Sequence, residues 1–350
     1  MTGSTTGTPP ELPALTGRLF TDDDFDFNAR CAISKAGQGS FDLGVAVQTL
    51  ARITDGDPAS WLREWTITAD RLHHQAVTAQ QAGRHQTSAW YHLGAADAYA
   101  RATALIDGLP DDSSLLPTFT RHRACWEAFI TASRSRHVRF DIPFENTTLA
   151  GYLLRPDSNG APRPTLVITN GSDGSLSGLW GEGIRAGLDR NWNVFVFDGP
   201  GQQSLLFEQG IPFRHDWETV LTPVLDSLVG RPDVDAERLL ASAVSQGGYW
   251  LPRALAFEHR FVAAAVDGGV WDVARVWYAN LPQALVDLLH AGERDRFNHT
   301  MATAPSNAVR NRGFRFRARP YGSFDTRTTC STPWASTGWP RSPRRSVLHC

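Results

Sequence analysis

The decapeptide ASAVSQGGYW, residues 241–250, sets Ser245 between small residues, after an apolar run and before a helical pattern. Ala243-Val244-Ser245-Gln246-Gly247 is a variant of the G-x-S-x-G strand-to-helix elbow, with Ala243 in place of the first glycine and Gly247 and Gly248 on the far side. Small residues are needed there because the tight turn presses its backbone against its neighbours and projects the serine Oγ into a cleft. The chemistry such a serine can do is nucleophilic attack on a carbonyl. The competing reading is a serine that merely caps the following helix.

A nucleophilic serine needs an oxyanion hole. The run TNGSDG (169–174) follows an apolar strand pattern. In an elbow enzyme that loop donates one N–H, here from Ser172 or Asp173, and the residue after the nucleophile, Gln246, donates the other. A plain Asx/Gly turn is the alternative. The run FDGPGQQS (197–204) reads as a structural Gly/Pro turn bordering the same cleft.

The elements that must position these residues follow from periodicity. From Leu19 to about Ser133 the pattern is helical. DPASWLREWTITADRLHHQAVTAQQAG has Asp57 as N-cap, Pro58 at the first helical position and Gly83 as the stop, with Trp61, Trp65, Leu72 and Val77 near a 3.6-residue period. Trp61, Trp65, Trp90 and Tyr91 are expected to pack in this helical core or to face the cleft. The texture changes near Arg136. HVRFDIPFENTTLAGYLLRP reads as two strands around a polar turn, and TLVIT, WNVFVFD, LLASAV and FVAAAVD then alternate with helical stretches. That alternation implies a mostly parallel sheet covered on both faces, whose functional loops lie beyond the strand C-termini.

Taken together, LVITNGSDGS, VFVFDGPGQQS, VSQGGYWLPRALAFE and the helical stretch before them resemble the 2,6-dihydroxypseudooxynicotine hydrolases and the FrsA-like esterases over about Trp61 to Gly322. The resemblance implies an α/β-hydrolase fold with an N-terminal all-α cap. It also implies a hydrolase acting on a C–C bond next to a ketone, or on an ester, with Ser245 as nucleophile and Asp173 touching substrate. A carboxylesterase or acyl-peptidase and a catalytically dead homologue are the alternatives. Ala243 and Gln203 stand where glycine is usual. The expected organisation is a disordered lead (1–17), a helical cap (18–135), an incomplete α/β-hydrolase core (136–325) and an aberrant, disordered tail (326–350).

The triad order of this fold is Ser, then Asp or Glu, then His. After Asp272 no further strand–loop unit is visible. Asp267 and Asp272 are weak candidates for the acid, His290 and His299 lie in helical patterns, and His349 has no strand before it. The tail TRTTCSTPWASTGWPRSPRRSVLHC lacks any helical or strand period. The chain holds a single lysine, Lys35, among many arginines, which indicates a GC-rich gene. Back-translated and read from each codon's third base, the tail becomes a helix with an apolar stripe. The expectation is a frameshift near Asp325 that removes the acid and the histidine; a natural disordered tail is the alternative.

Composition narrows the classes further. The formal net charge of −2 gives no electrostatic case for nucleic acid or an anionic membrane. The four cysteines form no paired spacing, and no His/Cys/Asp run has metal-ligand spacing, so no metal or cofactor is expected. The start lacks a basic and an apolar signal region, and no stretch approaches a membrane span. A cytoplasmic protein acting on a small carbonyl or ester substrate is expected, with monomer or homodimer left open.

Overall fold

The computed structural model describes residues 17–303 except 112, 134, 135 and 280. Most of the expected disordered lead, the whole of the expected aberrant tail and His349 lie outside the described residues.

Five helices come first: α1 (Asp23–Gly37), α2 (Leu43–Leu50), α3 (Pro58–Gln81), α4 (His85–Ala102) and α5 (Leu115–Ala132). Aspartates start three of them. The side chains of Asp22, Asp42 and Asp57 accept from backbone N–H groups in the first turns of α1, α2 and α3, which would otherwise lack partners. Pro58 opens α3, and Gly83 follows its end at φ +70°. Trp61 and Trp65 are fully buried, as their spacing requires, and Trp61 Nε1 donates to the Arg101 carbonyl at 2.8 Å. Trp90 departs from expectation. It is 40% exposed and packs edge-on against Tyr91, because it falls off the stripe of Ser88, His92, Ala95, Ala96 and Tyr99 that α4 buries.

The strands follow: β1 (His137–Phe144), β2 (Thr147–Leu154), β3 (Arg163–Thr169), β4 (Asn193–Phe197), β5 (Val234–Val244) and β6 (Phe261–Asp267). They form one sheet in the order β1-β2-β4-β3-β5-β6. β1 and β2 pair as an antiparallel hairpin and β2 joins β4 antiparallel, whereas β4, β3, β5 and β6 run parallel. Between the strands lie α6 (Arg185–Asp189), α7 (Gln203–Phe207), α8 (Glu218–Val229) and α9 (Gly247–Ala254). After β6 come α10 (Val273–Tyr278), α11 (Gln283–His290) and α12 (Arg294–Thr303).

The sheet divides the core in two, and strand periodicity decides which side chain joins which half. All of β4 is buried. Val194 and Val196 join the cluster shared with α1–α5, while Phe195 and Phe197 join the cluster shared with α8 and α9. In the second half Trp217 stacks on Trp250 at 4.4 Å and 14°, fixing α9 behind the sheet. The N-terminal helices are tied to the sheet by charge as well. Arg123 of α5 pairs with Asp198, at the C-terminal end of β4, and donates to Tyr152 Oη at 3.0 Å. Asp198 is 1% exposed and also accepts from Ser204 Oγ at 2.9 Å. Losing Arg123 would leave this buried carboxyl group without its counter-charge.

Among the described residues β6 is one edge of the sheet, β1 being the other. The β6 sequence FVAAAVD is apolar, yet all but its first residue is exposed, Val262 at 62%. An open apolar edge of this kind is a template for pairing with another strand.

Among the buried histidines, His137 and His122 are held as neutral rings. His137 Nδ1 accepts from the Arg155 N–H at 3.3 Å, and burial, reinforced by Arg136, pushes its pKa down to about 3. His122 pairs through Nδ1 with the Ala96 carbonyl at 2.9 Å, and burial, reinforced by Arg123, lowers it to about 4. Both folded values lie below the ordinary 6.5, so the unfolded chain binds more protons in that window. Their contribution is complete above pH ~6.5 and is lost as pH falls, on the order of 3–5 kcal/mol for each ring. The urea midpoint should therefore be flat near neutrality and fall steeply below pH ~6.5. His137→Asn, which keeps an acceptor on the backbone N–H, should reduce that slope.

Candidate active site

β5 ends at Val244 and α9 begins at Gly247, leaving two residues to reverse the chain direction. Ser245 takes up the turn at φ +55°, in the left-handed region that costs a non-glycine residue about 1–3 kcal/mol. Its N–H donates to the Asp267 carbonyl at 2.8 Å, and its own carbonyl accepts from the Gly248 N–H at 2.9 Å. No side chain caps α9 at Gln246. The Ser245 side chain is exposed and opens into a cavity of about 330 Å³.

Three glycines explain how the neighbours come so close. A Cβ on Gly171 would lie 2.7 Å from Ser245 Cβ, one on Gly247 2.7 Å from the Thr169 carbonyl oxygen, and one on Gly248 2.1 Å from the Gly268 carbonyl oxygen. The turn is thus wedged between the loop after β3 and the loop after β6. The loop after β3 is itself braced. Gly171 N–H donates to Asn170 Oδ1 at 2.8 Å, and Asn170 Nδ2 donates to the Ser175 carbonyl at 3.1 Å. Gln202 Nε2 donates to the carbonyls of Asn170 and Gly171 at 2.9 and 3.0 Å, while its Oε1 accepts from Gly199 N–H at 2.8 Å. The Gly/Pro turn is therefore a brace for the loop beside Ser245. Gln203, just beyond it, sits at φ +26°, where glycine would be unstrained.

The cavity lies between α1, the end of α4, the loop after β3, α7 and Ser245. Ser172 and Asp173 line it, and their backbone N–H groups have no acceptor among the described residues. Asp173 is exposed at the rim and accepts from Ser172 Oγ at 2.9 Å. Gln246 opens α9 next to Ser245, its side chain half-buried. Across the cavity stand residues that the sequence did not flag. Lys35 pairs with Glu182 at 2.6 Å, and Cys31 is half-exposed. Both lie on α1, whose cleft-facing side has no recognisable motif.

The weak triad candidates lie elsewhere. Asp267 stands beside Val244 in the sheet register with its side chain exposed, and Asp272 Oδ1 caps α10 by accepting from Arg275 N–H at 3.2 Å. His290 packs edge-on against Tyr278 at 5.3 Å, and His299 is on α12. None of the four lines the cavity, and among the described residues no histidine does. Among the described residues the arrangement offers a projected hydroxyl beside the Ser172 and Asp173 N–H groups, with no histidine in the cavity wall.

A second constellation was invisible to sequence spacing. His73, His92 and Cys125, on three different helices, bring their ligand-type atoms within 4.8 Å of one another. No local run contains two of them, which is why no ligand cluster was expected.

Comparison with known proteins places this geometry. No family model matches the chain. The hydrolase LUC6 of a Fusarium species is 28% identical over 75% of this chain and 66% of its own length. The alpha/beta hydrolase psoB of Aspergillus fumigatus is 27% identical over 72% of this chain and 59% of its own. The chain spans about two thirds of the length of these curated relatives. Among solved structures, 2,6-dihydroxy-pseudo-oxynicotine hydrolase superposes with a TM-score of 0.62 at 16% identity, covering 82% of this chain and 74% of that one. The fold is that of the α/β-hydrolases, with the helices α1–α5 ahead of the sheet. No helix among the described residues is long and apolar enough to cross a membrane.

The clearance at Gly248 is the most exacting feature of the turn, since its Cβ would meet backbone. Gly248→Ala should lower stability by about 1–3 kcal/mol in urea unfolding, the range for overpacking. Gly269→Ala, where a Cβ meets nothing within 4 Å, should stay within about 0.5 kcal/mol. Equal effects at the two positions would contradict this geometry.

Proposed function

We propose that the chain is a serine hydrolase in which Ser245 Oγ attacks a ketone or ester carbonyl of a small-molecule substrate. The attack gives a tetrahedral oxyanion that collapses to an acyl-enzyme by breaking the ester C–O bond, or the C–C bond beside the ketone, the departing alkoxide or carbanion taking up the proton lost by the serine; water then releases the acid. The N–H of Gln246 and that of Ser172 or Asp173 hold the oxyanion, and Asp173 at the rim contacts the substrate. The observation that carries this reading is the Ser245 turn itself, a strained strand-to-helix junction presenting a hydroxyl to a cavity beside the Ser172 and Asp173 N–H groups, which have no acceptor among the described residues. The cavity at about 330 Å³ is at the lower end of the range for small-molecule sites. Its walls come from both the N-terminal helices and the loops of the sheet, as a cap over a core would supply them.

The attacking hydroxyl must pass its proton to a base. The described residues place no histidine at the cavity, which favours an impaired member of this class over a fully active carboxylesterase or acyl-peptidase. An unassisted hydroxyl is a weak nucleophile at neutral pH.

The test is turnover of an activated ester by the 350-residue chain. The expected rate is feeble, roughly 10³–10⁴-fold over water, with the oxyanion hole and binding as its only sources. Ser245→Ala should then change it little. Fast turnover abolished by Ser245→Ala would overturn the impaired reading, because a base would have to reach the serine. Gln246→Pro combined with Ser172→Pro, or with Asp173→Pro, removes one N–H from each side of the hole, and the combination that takes out the donor pair should erase the residual rate.

A further inference from the structure

The three longest helices meet around a cluster that the hydrolase reading does not use. His73 lies on α3, His92 on α4 and Cys125 on α5. Cys125 Sγ and His73 Nδ1 are 3.5 Å apart, and the rings of His73 and His92 have centroids 5.6 Å apart at 53°. His92 is 2% exposed, and both its ring nitrogens are buried with no hydrogen-bond partner among the described residues. A buried ring that satisfies neither nitrogen forfeits on the order of 1–3 kcal/mol for each group left unpaired. A Phe or Leu in its place would avoid that cost.

From this convergence we infer that His73, His92 and Cys125 form a site for a borderline transition-metal ion of the Zn²⁺ class, within the helices and apart from the Ser245 cavity. The donor set, two imidazoles and a thiolate, is the one such ions take. With Zn–S of about 2.3 Å and Zn–N of about 2.0 Å, a tetrahedral edge between sulfur and nitrogen is about 3.5 Å, which is the observed spacing of Cys125 and His73. The largest donor separation, within 4.8 Å, has to close by about an ångström, a rotamer-scale movement of one ring. Three protein ligands leave a fourth position for water, and the half-buried His73 is the ligand through which an entering ion can approach. Bound there, the ion would staple α3, α4 and α5 together and give His92 the partner it lacks.

Co²⁺ is the probe, added to the full chain after chelator treatment under reducing conditions. The expected result is one equivalent bound, with the intense visible bands of a tetrahedral ion and a thiolate-to-cobalt charge-transfer band. Both should be bleached by Zn²⁺, and the ion should raise Tm. Cys125→Ser should lose the charge-transfer band, and His73→Ala, at a half-buried position that tolerates truncation, should lose tetrahedral binding with its far-UV circular dichroism unchanged. His92→Phe should abolish binding while matching or exceeding the Tm of the metal-free chain. Octahedral-type weak bands, non-saturating uptake, or a charge-transfer band that persists in Cys125→Ser would overturn the site. Ester turnover is not a readout here, so the outcome is independent of Ser245.

Discussion

The backbone of Ser245 is held at φ +55° by contacts on two sides, and the other features of the site are arranged around that turn. On one side the loop after β3 approaches so closely that only glycine fits at position 171. On the other, the carbonyl of Asp267 fixes the serine N–H, and the Gly248–Gly268 contact admits no side chain. The strain is borne by elements that are rigid for separate reasons. β5 is hydrogen-bonded between β3 and β6, and α9 is anchored by the Trp217–Trp250 stack beneath it. A turn supported in this way keeps its hydroxyl in one place without help from the hydroxyl's own hydrogen bonds.

The same logic extends to the wall opposite. The cavity exists because α1 and the end of α4 stand over the C-terminal ends of the strands, and α5, packed on α4, is tied to the sheet by the buried Arg123–Asp198 pair. In water an ion pair of this kind would contribute little. Buried, it specifies position, since the carboxylate at the end of β4 tolerates no arrangement in which the guanidinium is absent. Ser204 and Tyr152 complete the network, so the Gly/Pro turn, the sheet and α5 share one set of polar contacts. Gln202 carries it on to the loop beside Ser245.

Much of this was legible in the sequence, and what was not has a common cause. Short-range signals survived intact: Asp57-Pro58 at the start of α3, the polar turn between β1 and β2, and the apolar strands before each Gly-rich loop. Ser245 was legible for the same reason, because the constraints on an elbow act within five residues. Trp90 was misplaced because a period of 3.6 tells which residues share a face only when the phase of the buried stripe is known, and α4 buries a nearly continuous run of small residues that blurs it. Lys35, Glu182 and Gln202 were missed because their roles depend on chain segments far apart in sequence. The His73–His92–Cys125 cluster is the extreme case, one residue from each of three helices. Topology brings them together, and no local pattern encodes that.

The strand-to-helix turn at Ser245 is built, while no histidine among the described residues lines its cavity. Labelling by a fluorophosphonate, followed by intact mass and peptide mapping with and without added imidazole, addresses both halves at once. Labelling at Ser245 should be slow alone and should accelerate with imidazole concentration, the free base standing in for a histidine that no described residue supplies, with no labelled peptide from Ser245→Ala. Rapid stoichiometric labelling without imidazole would show that a base already reaches the serine. No labelling at any imidazole concentration would show that the turn does not present a nucleophile, and either result would contradict the account.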